Sequence, residues 1–231
     1  MNMIAKATAF ASAFTAAADH YFRPCGNLER DGYCILSSRN TRHSLESSIL
    51  SQLPAGYHFL NYKYTINGQP LITYHRDVTS SQTSFKTKYP TYTAIHYNYA
   101  GDHLSVAPGS HVSWTMGLPV TLGGKANTVI LFNADLVHGG VDAPEGVARV
   151  ATQYKIAHLD DFEALDHLQE VNMTVERTET LDEPLNTLLR TGSYLFTVPV
   201  EMFARSLLQE RQPGLLGYVQ SLFPLQYFNR A

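Results

Sequence analysis

The sequence of 231 residues holds only two cysteines. Cys25 and Cys34 stand too far apart for a C-x-x-C redox or zinc pair, and one bridge in a chain of this length would be no scaffold. A reducing compartment, and so a cytoplasmic setting, is the simpler expectation. Charge of one sign is also scarce: 17 Lys and Arg stand against 20 Asp and Glu, for a formal net charge of −3. Without a Lys/Arg-rich block there is no electrostatic footprint for nucleic acid, and no such partner is expected. Uncharged apolar runs of the roughly 20 residues that a spanning helix needs are missing too, because Glu201, Arg205, Glu210 and Arg211 interrupt the C-terminal segments. The reading is therefore of a chain with no membrane span. Internal repeats and low-complexity tracts are absent.

What is present is a 44% hydrophobic chain, long enough to bury a core without help from disulfides or structural zinc. One domain is expected over 1–231, with helical support over 1–56, a β-core over 57–159 and helices over 160–231. At the start, Met3, Ala7, Phe10, Phe14, Ala17 and Tyr21 recur on one helix face, which favours a packed helix over a secretory leader. A second helix is expected from about Arg42 to Gln52. From Tyr57 onward the composition turns to tyrosine and β-branched residues. YHFLNYKYTI and QPLITYHRDV flank Asn67-Gly68 and predict a hairpin, and further strands are expected at 92–99, 103–107, 128–132, 135–139 and 149–158. Short strands with regular turns point to a sandwich or barrel, so the class is mainly β with flanking helices. After Asp160 the pattern reads as helix again, through FEALDHLQEV, LDEPLNTLLRTG and PVEMFARSLLQER. The aromatic tail from Gly214 to Phe228 lacks a basic face, so it is expected to pack on the core or form a homodimer interface.

Neutral imidazole is the commonest metal ligand, so the ten histidines are weighed first. Most read as surface or hydrogen-bonded groups. His75, in Thr73-Tyr-His-Arg-Asp77, differs: on a strand of period two, residues 75 and 77 project from one face, roughly 6 to 7 Å apart. His138, in Leu136-Val-His-Gly-Gly, is the best third ligand. Two imidazoles and one carboxylate form the facial triad of non-haem Fe(II) oxygenases, which leaves positions open for a bidentate 2-oxo acid and for O2. The distal carboxylate of 2-oxoglutarate would need a permanently charged fork, and Arg149 at the head of RVATQYKIAH supplies one. His111 reads as part of a turn. A second metal cluster of His96, His103 and His111 is discounted for want of a matching carboxylate.

These residues bring a family into view. The chain resembles the phytanoyl-CoA dioxygenase-like branch of the Fe(II)/2-oxoglutarate-dependent oxygenases in LERDGYCIL, TYHRD, GDHLSVAPGSH, ANTVILFNADLVHGG and the strand carrying Arg149. GDHLSVAPGSH is the most distinctive of these. The resemblance implies a double-stranded β-helix (jelly roll), with His75, Asp77 and His138 as iron ligands and Arg149 on the 2-oxoglutarate side carboxylate. It also puts forward Tyr64 and Thr93 as supplementary co-substrate contacts, the latter where relatives often carry an aromatic ring. Relatives often have Ser two residues after the distal His, whereas this chain has Gly140. Because related halogenases lack the carboxylate, Asp77 favours hydroxylation, and a small organic substrate is expected because no basic groove suggests a polymer. The rivals are a cupin-like metal enzyme that does not use 2-oxoglutarate, a non-catalytic jelly-roll binding module and a zinc hydrolase.

Overall fold

The structure is a computed structural model that describes residues 26–37, 42–113, 117–178 and 183–208. The helix expected near the start and the aromatic tail lie outside the described residues. Two sheets form the body. The larger has seven strands in the order β1 (Tyr33–Ser37), β7 (Thr128–Asn133), β4 (Tyr92–Tyr97), β9 (Val150–His158), β3 (Tyr62–Gly68) and β10 (Val171–Arg177), with β2 (Tyr57–Phe59) also paired to β9. The smaller runs β6 (Val120–Gly124), β5 (Gly101–Val106) and β8 (His138–Gly140). All pairings are antiparallel except that of β10 with β3.

Strand β7, TVILFN, is buried at every position because both of its faces are covered. Its Ile130 and Phe132 join Tyr33, Tyr97, Leu104 and Val106 in a core between the sheets. On the opposite face, Val129 and Leu131 pack with Ile156 and with Ile49 of helix α1 (Arg42–Leu50). A short α2 (Gln82–Phe85) follows Ser81, whose hydroxyl caps it by accepting from the Ser84 amide.

Three expectations are corrected. No hairpin forms at Asn67-Gly68: β3 pairs with β9 and β10 instead, and only His75 in the following segment makes a bridge, to His138. Pro70 offers no amide to a ladder. The chain here crosses toward the small sheet, where Gly140 N donates to Leu71 O at 2.7 Å and Asp77 N to Ala134 O at 2.9 Å. Second, FEALDHLQEV is not a helix: one 3-10 turn, Leu159–Asp161, precedes it and another, Asp166–Leu168, lies within it and leads into β10, whose Val171, Met173 and Val175 pair with Tyr62, Tyr64 and Ile66 of β3. Third, the two separate C-terminal helices are a single α3 (Glu183–Leu208). Strand β6 adds to the expected set, between the strands expected at 103–107 and 128–132. Among the described residues, no helix is long and apolar enough to cross a membrane.

Candidate metal centre and anion pocket

Backbone pairing sets the site. His75 N donates to His138 O at 2.8 Å, and His138 N returns a bond to His75 O at 2.9 Å, which places the two imidazoles side by side with ring centres 4.4 Å apart. Asp77 arrives from the same irregular segment. His75 and Asp77 thus share a site although they do not lie on a regular strand. Asp77 Oδ1 is 3.7 Å from His138 Nε2 and 4.0 Å from His75 Nε2, and the three donor atoms lie within 4.8 Å of one another. They are the one such His/Cys/Asp/Glu group among the described residues.

Each imidazole is oriented by its other nitrogen. His75 Nδ1 bonds Thr73 O and His138 Nδ1 bonds Leu136 O, both at 2.8 Å. A carbonyl only accepts, so Nδ1 carries the proton and the Nε2 lone pair faces the site. Burial, and then the neighbouring His75, lowers the His138 pKa to about 4, which keeps the ring neutral near pH 7. Burial alone would raise Asp77. Lys155, His138 and His75 outweigh it and hold the carboxyl well below the usual carboxylate range.

His75, Asp77, His138, Tyr64 and Arg149 all line one cavity of about 430 Å³. Arg149 is 7% exposed, its Nη1 donates to Gly68 O at 3.2 Å, and its Nε has no partner. An unpaired buried guanidinium N–H is costly unless an anion meets it. Three convergent donors of hard-to-intermediate character and this unpaired donor fit Fe(II) and a 2-oxo diacid. Thr93 is placed differently from its expected role. It does not line the cavity; its hydroxyl donates to Asp77 Oδ2 at 2.6 Å.

The PGSH turn positions both ligand segments. Ser110 O accepts from the buried Arg76, which sits between His75 and Asp77, and Ser110 Oγ accepts from the amide of Val137, next to His138. His111 belongs to turn structure, with Nε2 against Glu29 O at 3.0 Å. His103 is buried and stacked on Tyr97 at 4.4 Å, away from the ligands.

Gly140 explains its own departure from the resembling pattern. A Cβ there would sit 2.4 Å from Pro70 Cβ and 3.0 Å from Leu71 O, so the crossing segment occupies the space that a Ser side chain would need. Gly140→Ser is therefore expected to destabilise the protein by about 1–3 kcal/mol, the usual scale of overpacking. A lowered urea midpoint without a change of slope checks it.

Sequence reasoning missed Lys155. It is 2% exposed and bonds Asp77 Oδ2 at 2.6 Å. A signal was available: positions 149, 151, 153 and 155 alternate on one face, so a lysine there points into the same interior as Arg149.

No family model matches the chain, and no curated protein does. Among solved structures it is similar to EvdMO1, at 17% identity over 51% of this chain and 31% of that one, with a TM-score of 0.41. It thus spans less than a third of EvdMO1. It is also similar to HygX from Streptomyces hygroscopicus with nickel and 2-oxoglutarate bound, at 14% identity over 57% of this chain and 84% of that one, with a TM-score of 0.41. A third is SnoN, a non-heme alpha ketoglutarate dependent epimerase from nogalamycin biosynthesis, at 15% identity over 74% and 97%, with a TM-score of 0.41. At these values the likeness transfers neither fold nor chemistry to this chain.

Proposed function

We propose that this chain is an Fe(II)- and 2-oxoglutarate-dependent oxygenase of the phytanoyl-CoA dioxygenase-like kind, a single jelly-roll domain that hydroxylates a small organic molecule. The observation that carries the reading is one arrangement. Two imidazole Nε2 atoms and one carboxylate oxygen converge within 4.8 Å in a cavity whose lining also presents the unpaired Nε–H of Arg149. Two stacked sheets, with the third ligand on β8 and Arg149 beside the start of β9, support the jelly-roll assignment.

His75, Asp77 and His138 would hold the iron, and Arg149 would pair with the distal carboxylate of 2-oxoglutarate. Bound Fe(II), with 2-oxoglutarate and O2 as co-substrates, supplies oxidative decarboxylation to succinate and CO2 together with an oxidant able to attack a substrate C–H bond. The chain's own residues do the rest. Both imidazoles present Nε2 lone pairs, burial keeps His138 neutral, Asp77 stays ionised, and Arg149 fixes the orientation of the diacid. Tyr64, Ile66, Ile95 and Leu104 line the cavity with largely apolar surface. Its volume, about 430 Å³, lies in the range of small-molecule pockets and supports a compact substrate.

Two measurements test the reading. Anaerobic addition of Fe(II) and 2-oxoglutarate should produce a weak visible charge-transfer band, and its absence from folded protein would overturn the assignment. Arg149→Ala should weaken 2-oxoglutarate binding by about 1.5–3 kcal/mol, roughly 10- to 150-fold, with the metal still bound. Unchanged turnover in that variant would favour the enzyme that does not use 2-oxoglutarate. Succinate release screened against metabolite pools, with mass spectrometry for an added oxygen atom, identifies the substrate.

A further inference from the structure

Behind the metal-facing oxygen of Asp77 lies a polar cluster whose protons can be counted. Lys155 Nζ is 2.6 Å from Asp77 Oδ2, 2.9 Å from Thr93 Oγ1 and 3.0 Å from Ser80 Oγ. Each hydroxyl has one proton and directs it to Asp77: Thr93 donates to Oδ2 at 2.6 Å, and Ser80 donates to the backbone carbonyl at 3.2 Å. Toward Lys155 both hydroxyls are therefore acceptors, as the carboxylate is. Three acceptors match the three N–H donors of an ammonium, so every proton on Lys155 has a destination. Oδ2 in turn receives two donors. Oδ1 receives none among the described residues and faces the two imidazoles.

We propose that Lys155, Thr93 and Ser80 are positioning residues that make Asp77 a one-oxygen metal ligand, holding Oδ2 back and presenting Oδ1 alone. The inference rests on the metal reading above and adds to it what sets the number of open positions. A carboxylate that turns freely can chelate through both oxygens and occupy a place that a bidentate 2-oxo acid or O2 requires. The clamp is built into the sheet. Thr93 on β4 and Lys155 on β9 are directly opposed in register, and Ser80 lies three residues after the ligand it supports. Thr93 and Ser80 are nearly fully buried and Lys155 is 2% exposed, so water does not compete for these bonds.

Titration of Co(II) into metal-free protein, followed by visible absorption, tests the clamp, because both the position and the intensity of the bands report coordination number. Thr93→Val removes the hydroxyl without changing charge or shape. Lys155→Met removes the ammonium. Both are expected to weaken Co(II) by about 10- to 100-fold, the usual consequence of losing a partner behind a metal ligand, and to alter the band shape. Thr93→Ser restores the hydroxyl and should behave as wild type. Wild-type affinity and bands in Thr93→Val and Lys155→Met overturn the proposal. So does weaker binding with unchanged bands, which marks general loosening. If Lys155→Met does not fold, Thr93→Val decides alone. Wild-type protein that binds no Co(II) overturns the metal reading itself, and the clamp falls with it.

Discussion

His138→Ala is expected to abolish metal binding while leaving the fold in place. The backbone of residue 138 makes both bonds of the bridge to His75, at 2.8 and 2.9 Å, and alanine keeps them. Residue 138 also keeps its place on β8, in register with Val106 of β5. What disappears is one of three donors, and the one with the least exposed side chain, at 3%. His75 and Asp77 then remain as a pair 4.0 Å apart, with His75 32% exposed to competing water. The loss should exceed the roughly 10- to 100-fold that follows removal of an outer partner. In practice neither Co(II) bands nor the Fe(II)/2-oxoglutarate band should form, and the far-UV circular dichroism should stay as in wild type. Retention of either band would show that the ligand set has been misassigned.

Much of the site is legible in the sequence because its chemistry is written in residue types that rarely occur together. His75-x-Asp77, His138 and Arg149 were expected to share a cavity, and they do line one. His75 and Asp77 meet for a reason that a local pattern does not hold. Period-two alternation was expected to align them, yet only His75 bridges, and the alignment comes from bonds to residues 134 and 138 across the chain. Such pairing is non-local and leaves no trace in a window of ten residues. The same reason hides β10: Val171, Met173 and Val175 alternate, but a parallel partner such as β3 lies far away in sequence. Alternation puts Lys155 on the face of Arg149, but its role depends on Thr93 opposing it from another strand, which no local pattern carries. By contrast, β7 was legible at once. A continuous run of apolar residues has to be covered on both sides, and Ile130 and Leu131 are so covered, one by the core between the sheets and the other by the α1 side.

Asp77→Ala is expected to destabilise the metal-free protein by about 3–5 kcal/mol, the cost of leaving one member of a buried ion pair alone. Lys155 is 2% exposed, and Asp77 is its one ion-pair partner among the described residues, at 2.6 Å. Solvent screening is therefore slight, unlike at the exposed Lys88–Asp160 pair, where no comparable effect is expected. Removing both charges, as Asp77→Ala/Lys155→Met, should recover most of the loss, because neither member of the pair is then left without its counterion. The pH dependence has a definite sign. Asp77 titrates below its unfolded range because Lys155 and the two imidazoles outweigh burial. Its stabilisation is thus complete above the unfolded carboxyl value of about 3.9 and fades as pH falls below that toward the folded value. The stability gap between wild type and Asp77→Ala in urea titrations should accordingly be constant from pH 7 to about 5 and narrow on further acidification. A single variant as stable as wild type, or a double variant no better than the single, would show that the pair carries no net stability.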